Sequence, residues 1–163
     1  MARRASTSRG RSGHRQLRSR LVKSTVSVTC EQRISAAPPV VWAIVADPKM
    51  QERLDPRCRV ESATGDWRAA GSEFILNVRG VRLRYVVTQA EPGVRWVASV
   101  DRAGKLAGAQ GGELAADGTG TLLRWTVNIS AGPLVRRLAQ RTCERELPKW
   151  LGAVEREALA SVP

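Results

Sequence analysis

Apolar and polar side chains alternate between residues 26 and 34, and this period of two predicts a half-buried β-strand. The apolar positions of this strand are Val26, Val28, Cys30 and Ile34. Gln32 falls on the same side of the alternation, so one polar group interrupts the inward face.

The segment after this strand has the pattern of a short helix that ends early. A proline pair at positions 38 and 39 can open a helix, because proline is tolerated in the first turn. Val41, Ile44 and Val45 then fall on one helical face. The Asp-Pro pair at 47–48 ends this helix and offers the N-cap of another, from 49 to about 54. The pattern therefore predicts two short, consecutive helices.

The middle of the chain alternates again, in segments separated by glycine, proline and aspartate turn signals. Hairpins in series form an antiparallel sheet, so we expect about seven strands, counting the first. The six further segments span roughly residues 57–64, 71–79, 81–90, 94–101, 105–114 and 119–129. The alternation places these residues on the inner face: Phe74, Leu76, Val78, Leu83, Tyr85, Val87, Trp96, Ala98, Val100, Leu123, Trp125, Val127 and Ile129.

After Gly132 the pattern predicts one long helix that ends near Leu159. We expect a kink at Pro148, since its ring removes an amide hydrogen bond and crowds the preceding turn. An apolar stripe runs along the second half of this helix: Leu147, Leu151, Val154 and Ala158.

The first half of the final helix does not continue this bulky stripe. At 100° per residue, the stripe leads back to smaller or polar residues. They are Arg136, Ala139, Gln140 and Cys143. Two interpretations remain open: the helix borders an open space at this end, or Leu134 and Leu138 pack here on a different face.

Positive charge is concentrated at the start of the chain. The sequence has 27 basic and 15 acidic residues and a net charge of +12. Residues 1–23 contain eight of the basic residues and no acidic one, so the rest of the chain is nearly neutral. The eight are Arg3, Arg4, Arg9, Arg11, Arg15, Arg18, Arg20 and Lys23.

Residues 1–23 are rich in Arg, Ser and Gly and offer little to bury, so we expect a disordered basic tail before a domain at 24–163. Such a tail is compatible with contacts to nucleic acid or an anionic membrane, or with an organelle transit peptide. A solvated extension or an upstream start codon is the alternative. No apolar run indicates a secretory signal or a membrane span.

The cysteines and the single histidine exclude several kinds of site. Cys30, Cys58 and Cys143 are widely spaced, so neither a disulfide framework nor a cysteine zinc site is indicated. They are typical of small buried side chains in a reducing compartment, and we expect a cytoplasmic protein. His14 lies in the tail, which removes histidine-dependent catalytic triads and histidine metal sites from the domain. We expect no metal and no cofactor.

Several of these segments together resemble the START-like SRPBCC superfamily, especially its polyketide cyclase/dehydrase and lipid-transport branch. The resemblance rests on residues 37–48, the strand start at Gly71, the strand 118–125 and the final helix, and it covers about residues 24–160. It implies an α+β helix-grip fold. In that fold a strongly curved antiparallel sheet wraps around the long C-terminal helix, with a hydrophobic cavity between them.

The sequence departs from these relatives just after the Asp-Pro pair at 47–48. Relatives commonly carry tryptophan there, whereas this chain reads Met-Gln-Glu-Arg-Leu-Asp-Pro from position 50 to 56. Arg53 occupies a position that is frequently aromatic. The lip of the implied cavity therefore differs from that of relatives.

The sixth strand supplies the small residues that a cavity wall needs. If Leu114 faces inward, Gly108, Gln110 and Gly112 face inward with it, either to leave space or to let the helix approach closely. On the first interpretation, a leucine at position 112 fills the cavity. The candidate ligand-binding residues are Tyr85, Trp96, Gly108, Gln110, Gly112, Trp125, Gln140 and Cys143. For Tyr85 and the two tryptophans, the alternative is a place in the core.

Catalysis is not favoured, since no carboxylate falls clearly on the inner face as a general acid or base. The favoured function is binding or transport of a small hydrophobic ligand, lipid or polyketide-like, in the cavity. One alternative is a polyketide cyclase or dehydratase that folds a reactive chain in a shaped pocket. Another is an interaction module that its basic tail recruits to nucleic acid or membrane.

Overall fold

The alternating segments form seven strands in a computed structural model of the protein, which describes residues 24–161. Their bounds are β1 Ser24–Ile34, β2 Cys58–Thr64, β3 Glu73–Val78, β4 Val81–Glu91, β5 Arg95–Arg102, β6 Lys105–Asp117 and β7 Gly120–Ala131. All seven belong to one antiparallel sheet in the order β1-β7-β6-β5-β4-β3-β2. The predicted disordered tail, residues 1–23, lies outside the described residues.

Three helices complete the fold: α1 Pro38–Ala46, α2 Pro48–Leu54 and α3 Pro133–Ala160. The carboxylate of Asp47 caps α2 by accepting a hydrogen bond from the Lys49 amide at 2.8 Å. Pro48 fits the first turn, where its missing amide hydrogen is not needed. The prediction of two short helices after the first strand is confirmed.

The sheet is bent at three places where the pairing register shifts by one residue. The shifts fall between Val60 and Ser62 in β2, at residues 87–89 in β4, and at residues 106–108 in β6, opposite Val100 and Asp101 of β5. An extra residue in one strand bends that strand and increases its twist. The curved sheet can therefore wrap around α3, as in the helix-grip fold, and the predicted α+β class is confirmed.

The inner face of the sheet buries a row of aromatic rings. Phe74 stacks on Tyr85 with ring centroids 4.8 Å apart, and Phe74 also lies 6.1 Å from Trp96. Trp96 stacks on Trp125 at 6.0 Å, and Trp125 meets Trp150 of α3 at 4.7 Å. The contact between Trp125 and Trp150 therefore links the sheet to α3, and the large aromatic surfaces contribute much of the buried area there.

α3 continues through Pro148 to Ala160, which confirms that this proline does not end the helix. The buried residues of α3 all lie in its second half: Leu147, Leu151, Ala153, Val154 and Ala158. This half holds the helix against the sheet. Among residues 24–161, no helix combines the length and the apolar character needed to cross a membrane.

The structure decides between the two interpretations of the first half of α3. Leu134 is 84% exposed and Leu138 is 69% exposed, so they do not pack on the domain. The interpretation in which these two leucines carry the packing is therefore wrong. Cys143, on the other face, is half-buried and borders a cavity.

Candidate functional site

A cavity of about 490 Å³ lies between the inner face of the sheet, α2 and the second half of α3. Its walls are mostly apolar and include Leu54, Leu76, Val127, Leu147 and Ala153. Pockets of this size and character are typical of sites for small molecules. α3 lines the cavity with Cys143, Leu147, Trp150 and Ala153, and the fully buried Leu151 and Val154 hold the helix in place beside it.

Two polar side chains of the sheet line this cavity. Tyr85 comes from β4, and Gln110 comes from β6, where it lies between Ala98 and Val127 of the neighbouring strands. No hydrogen bond joins either polar group to another group of residues 24–161, and neither is sealed off from solvent. Because both groups reach solvent and have no protein partner, they are available to a ligand.

The hydroxyl of Tyr85 is a hydrogen-bond donor at every physiological pH. Burial raises the pKa of Tyr85 well above its usual value, and the nearby Cys58 and Cys143 add to the shift. Burial also raises the pKa of the Cys58 thiol to about 11 and raises the pKa of Cys143. The two thiols therefore remain protonated at neutral pH, which leaves them poor nucleophiles.

Two aromatic rings close one side of the cavity. Trp125 of β7 and Trp150 of α3 meet at 4.7 Å between ring centroids. The indole nitrogen of Trp150 donates a hydrogen bond to the amide oxygen of Gln51 in α2 at 3.1 Å. The pair and its hydrogen bond tie α2 to α3 across the edge of the cavity.

Four charged residues of the cavity lining are Asp55, Arg57, Glu146 and Lys149. Arg79 and Arg145 pair with Glu146 beside them, and we call these six paired residues the mouth cluster. Arg57 donates to Asp55 at 2.7 Å and to Glu146 at 2.9 Å, so it bridges the loop after α2 to α3. With four bases and two acids, the cluster is positively charged.

Glu146 is the centre of the mouth cluster. Its carboxylate also accepts from Arg145 at 2.8 Å, from Lys149 at 3.3 Å and from Arg79 at 3.4 Å. Hydrogen bonds from Arg57 and then Arg145 lower the pKa of Glu146 to about 2. The pKa of Asp55 is lowered as well, chiefly by its hydrogen bond from Arg57. Both carboxylates are ionised at neutral pH, so the mouth keeps its charges.

A family model described as polyketide cyclase / dehydrase and lipid transport matches residues 25–161. The chain belongs to this family. The match covers both walls of the cavity and the mouth cluster, so the cavity lies within the part of the chain that defines the family. No curated protein matches the chain.

Solved structures support the same fold for this member of the polyketide cyclase / dehydrase and lipid transport family. Protein MLL2253 from Mesorhizobium loti is 20% identical with a TM-score of 0.69, covering 85% of this chain and all of its own. CalU16 from Micromonospora echinospora is 21% identical with a TM-score of 0.58, covering 82% of each chain. Ara h 8.0201 is 12% identical with a TM-score of 0.63, covering 85% of this chain and all of its own.

Four of the eight candidate residues predicted from the sequence line the cavity of this family member. They are Tyr85, Gln110, Trp125 and Cys143. The structure thus brings together residues from β4, β6, β7 and α3, as the alternation of the strands and the stripe on the helix indicated. Their part in ligand binding stays a prediction.

The two candidate glycines serve close packing in the structure. A Cβ atom at Gly112 would lie 2.4 Å from Cε3 of the Trp125 ring, so the missing side chain makes room for the indole. At Gly108 the φ angle is +155°, and a Cβ atom would lie 1.9 Å from the carbonyl oxygen of Asn128. The interpretation that these glycines leave space for a ligand is therefore wrong. Gly112 lets the Trp125 ring approach closely, and Gly108 lets the neighbouring strand β7 approach closely.

Trp96 and Gln140 also lie outside the cavity lining. Trp96 is buried between Phe74 and Trp125, and its indole nitrogen donates to the carbonyl oxygen of Trp67 at 3.4 Å. Trp96 is therefore a core residue, which is the alternative to ligand binding that the sequence left open for it. Gln140 donates along α3 to Glu144 at 2.9 Å.

Sequence reasoning missed Trp150, and it missed Asp55, Arg57, Arg79 and Glu146 of the mouth cluster. The residues around Asp55 were interpreted only as the end of α2, although Asp-Pro-Arg at 55–57 also places two opposite charges side by side. Trp150 could have been found, because it follows Cys143 by seven residues and Leu147 by three, spacings that keep all three on one helical face. Among residues 24–161, no three His, Cys, Asp or Glu side chains are grouped to hold a metal ion.

Proposed function

We propose that this protein binds a small hydrophobic ligand in the cavity between α3 and the sheet, as a cytoplasmic carrier or sensor. One observation carries the proposal: the apolar cavity contains two polar side chains, Tyr85 and Gln110, that have no partner within residues 24–161. An unpaired polar group in an apolar site costs free energy unless a ligand or water satisfies it. A ligand with an apolar body and one or two hydrogen-bonding groups suits this interior.

The mouth cluster adds a preference for the exposed end of the ligand. Its net positive charge favours a carboxylate, phosphate or other anionic group at the mouth. The family description, which includes lipid transport and polyketide cyclisation, is compatible with such an amphipathic molecule. The proposed ligand class is therefore a lipid-like or polyketide-like compound with an acidic end.

Mass spectrometry of the purified protein, native and then denatured, tests whether it retains such a ligand. Binding of the apolar, anionic probe anilinonaphthalene sulfonate provides a second test with matched variants. Cys143→Phe places a ring in the cavity and is expected to weaken probe binding at least tenfold. Thr142→Phe places the same ring on another face of the helix and is expected to leave it unchanged. Equal binding of the probe by the two variants would show that the probe binds outside this cavity.

A polyketide cyclase or dehydratase is the second candidate. It is favoured by the protonated Tyr85 hydroxyl, which could donate a hydrogen bond to a carbonyl oxygen of a chain folded in the cavity. Tyr85→Phe then abolishes turnover of a linear polyketone thioester but retains probe binding. If the unaltered protein does not turn over this thioester, the carrier is the better proposal.

A third proposal concerns residues 1–23, whose eight basic residues suit an anionic partner such as nucleic acid or a membrane. Binding to either partner should weaken steeply with salt. Deleting this segment should remove that salt-dependent binding. Binding that survives the deletion unchanged would assign it to the domain instead.

A further inference from the structure

The first three turns of α3, residues 133–143, carry an exposed apolar surface that we call the α3 patch: Leu134, Val135 and Leu138. Their exposed fractions are 84%, 59% and 69%. Only two other large hydrophobic residues between 24 and 161 are comparably exposed, and both are isolated: Val94 and Leu159. Single exposed apolar residues need no explanation, but three within one and a half helical turns form a contiguous patch.

The α3 patch points away from the domain. At 100° per residue, Leu134 and Leu138 are about 40° apart around the helix, and Leu147 lies about 180° from Leu138. Leu147 is buried against the cavity side. The patch therefore lies on the face of α3 opposite the one that packs, and no described part of the chain covers it.

The charge around the α3 patch is mainly positive. Residues 133–143 contain three arginines and no acidic residue, and Glu144 is the first acid along the helix. Arg137 and Arg141 are exposed and flank the two leucines on the same side of the helix. Within residues 24–161 neither arginine forms a salt bridge, whereas many arginines of the sheet and the mouth cluster do. The two guanidinium groups are thus free for an external anion.

We infer that the α3 patch docks on the surface of an anionic lipid bilayer, with the first half of α3 lying along it. Helices that bind at a membrane surface insert apolar side chains between headgroups and hold acidic lipids with basic residues beside them. Leu134 and Leu138 supply the first element, and Arg137 and Arg141 supply the second. This surface extends the proposed function but does not depend on it.

Charge argues against the other occupants of this surface. A two-fold contact with a second copy would bring Arg137 and Arg141 against a patch of the same sign, because both copies use the same residues. Nucleic acid would engage the arginines through its phosphates but would leave the exposed leucines in water. A bilayer with acidic headgroups satisfies both kinds of side chain.

The α3 patch and the cavity use different faces of the same helix. Cys143, which lines the cavity, follows Leu138 by about one and a half turns of the same helix. The two residues lie about 140° apart around the helix, so the first turns of α3 would stand between a bound bilayer and the cavity.

Cosedimentation of the full chain with vesicles tests this inference. The vesicles are phosphatidylcholine, with and without phosphatidylserine. Leu134→Ser with Leu138→Ser is expected to lower binding to the anionic vesicles at least tenfold. Arg137→Gln with Arg141→Gln is expected to lower it roughly 25-fold, since each charge near such a surface contributes about fivefold. Matched controls are Leu159→Ser at the far end of the helix and Arg102→Gln on the sheet, which should bind as the unaltered chain does.

Two results would overturn the inference. Full expression of both double variants together with vesicle binding equal to that of the unaltered chain would assign binding to other residues such as 1–23. Alternatively, analytical ultracentrifugation could show a dimer that Leu134→Ser with Leu138→Ser dissociates, which would make the patch an interface between copies. Cavity-probe binding is unaffected by either outcome, so the proposed ligand site is judged separately.

Discussion

Gly112 lies directly beneath the indole ring of Trp125. Gly112 of β6 is paired directly with Trp125 of β7, and a Cβ atom at position 112 would lie 2.4 Å from the ring. That distance is far inside van der Waals contact. The ring therefore occupies the volume that a side chain at this position would need, and Trp125 can at the same time form a wall of the cavity.

Gly112→Ala is expected to lower the free energy of unfolding by about 1–3 kcal/mol, because the added methyl group overpacks the core. Gly152→Ala in α3 is the matched control. Its Cβ atom would meet only the flexible end of Arg156 at 3.7 Å, and alanine favours the helix by roughly 0.5–1 kcal/mol. Urea unfolding measures both changes. Equal effects at the two positions would contradict the packing of Trp125 over Gly112.

Glu146 makes stability depend on acid pH. Its pKa in the folded protein is about 2, below its ordinary value of 4.5, because Arg57 and Arg145 favour the ionised form. Its stabilising contribution is therefore complete above about pH 4.5 and is lost as the pH falls toward 2. Thermal unfolding between these pH values should show a smaller acid-induced loss for Glu146→Gln than for Glu144→Gln, an exposed control on the same helix. Parallel pH curves would contradict this role.

The Cys58 thiol should react slowly in the folded protein. Burial raises its pKa from 9.0 to about 11, so at pH 8 the thiolate fraction is roughly a hundredfold lower than in the unfolded chain. Alkylation by iodoacetamide followed by peptide mass spectrometry measures the rate in both states. Equal rates with and without denaturant would show that Cys58 is not buried.

Tyr85→Phe should change stability little, because the hydroxyl has no partner within residues 24–161. Thr121→Val provides the contrast. The Thr121 hydroxyl donates to the carbonyl oxygen of Ala36 at 2.6 Å in a buried site, so its loss leaves that carbonyl unpaired and costs about 1–3 kcal/mol. Chemical denaturation compares the two variants. A large loss for Tyr85→Phe would indicate a hydrogen bond inside the protein rather than a group available to a ligand.

A protein that begins at Ser24 should keep the thermal midpoint of the full chain. Residues 1–23 contain no apolar period that could pack on the domain, and charged, polar segments contribute little burial. Differential scanning calorimetry compares the two lengths. A midpoint several degrees lower for the shorter protein would show that the segment packs on the domain.

Periodicity in the sequence determined the elements of this fold and their buried faces. The period of two fixed which side of β3, β4, β5 and β7 is buried, since a shift of one residue would expose every apolar side chain. Proline and aspartate at 47–48 fixed the break between α1 and α2 through local backbone chemistry. These signals act between near neighbours, and the sequence displays them directly.

Only the tertiary structure decided what Gly112 and Glu146 do. A glycine on an inward face is compatible with open space or close packing, and the difference depends on the Trp125 ring from another strand. Glu146 has an ordinary place on a helix, and its low pKa arises first because folding brings Arg57 to it from a distant part of the chain, with Arg145 beside it in sequence as the second cause. Local pattern determines which face a residue occupies, whereas the partners it meets there depend on contacts between distant segments.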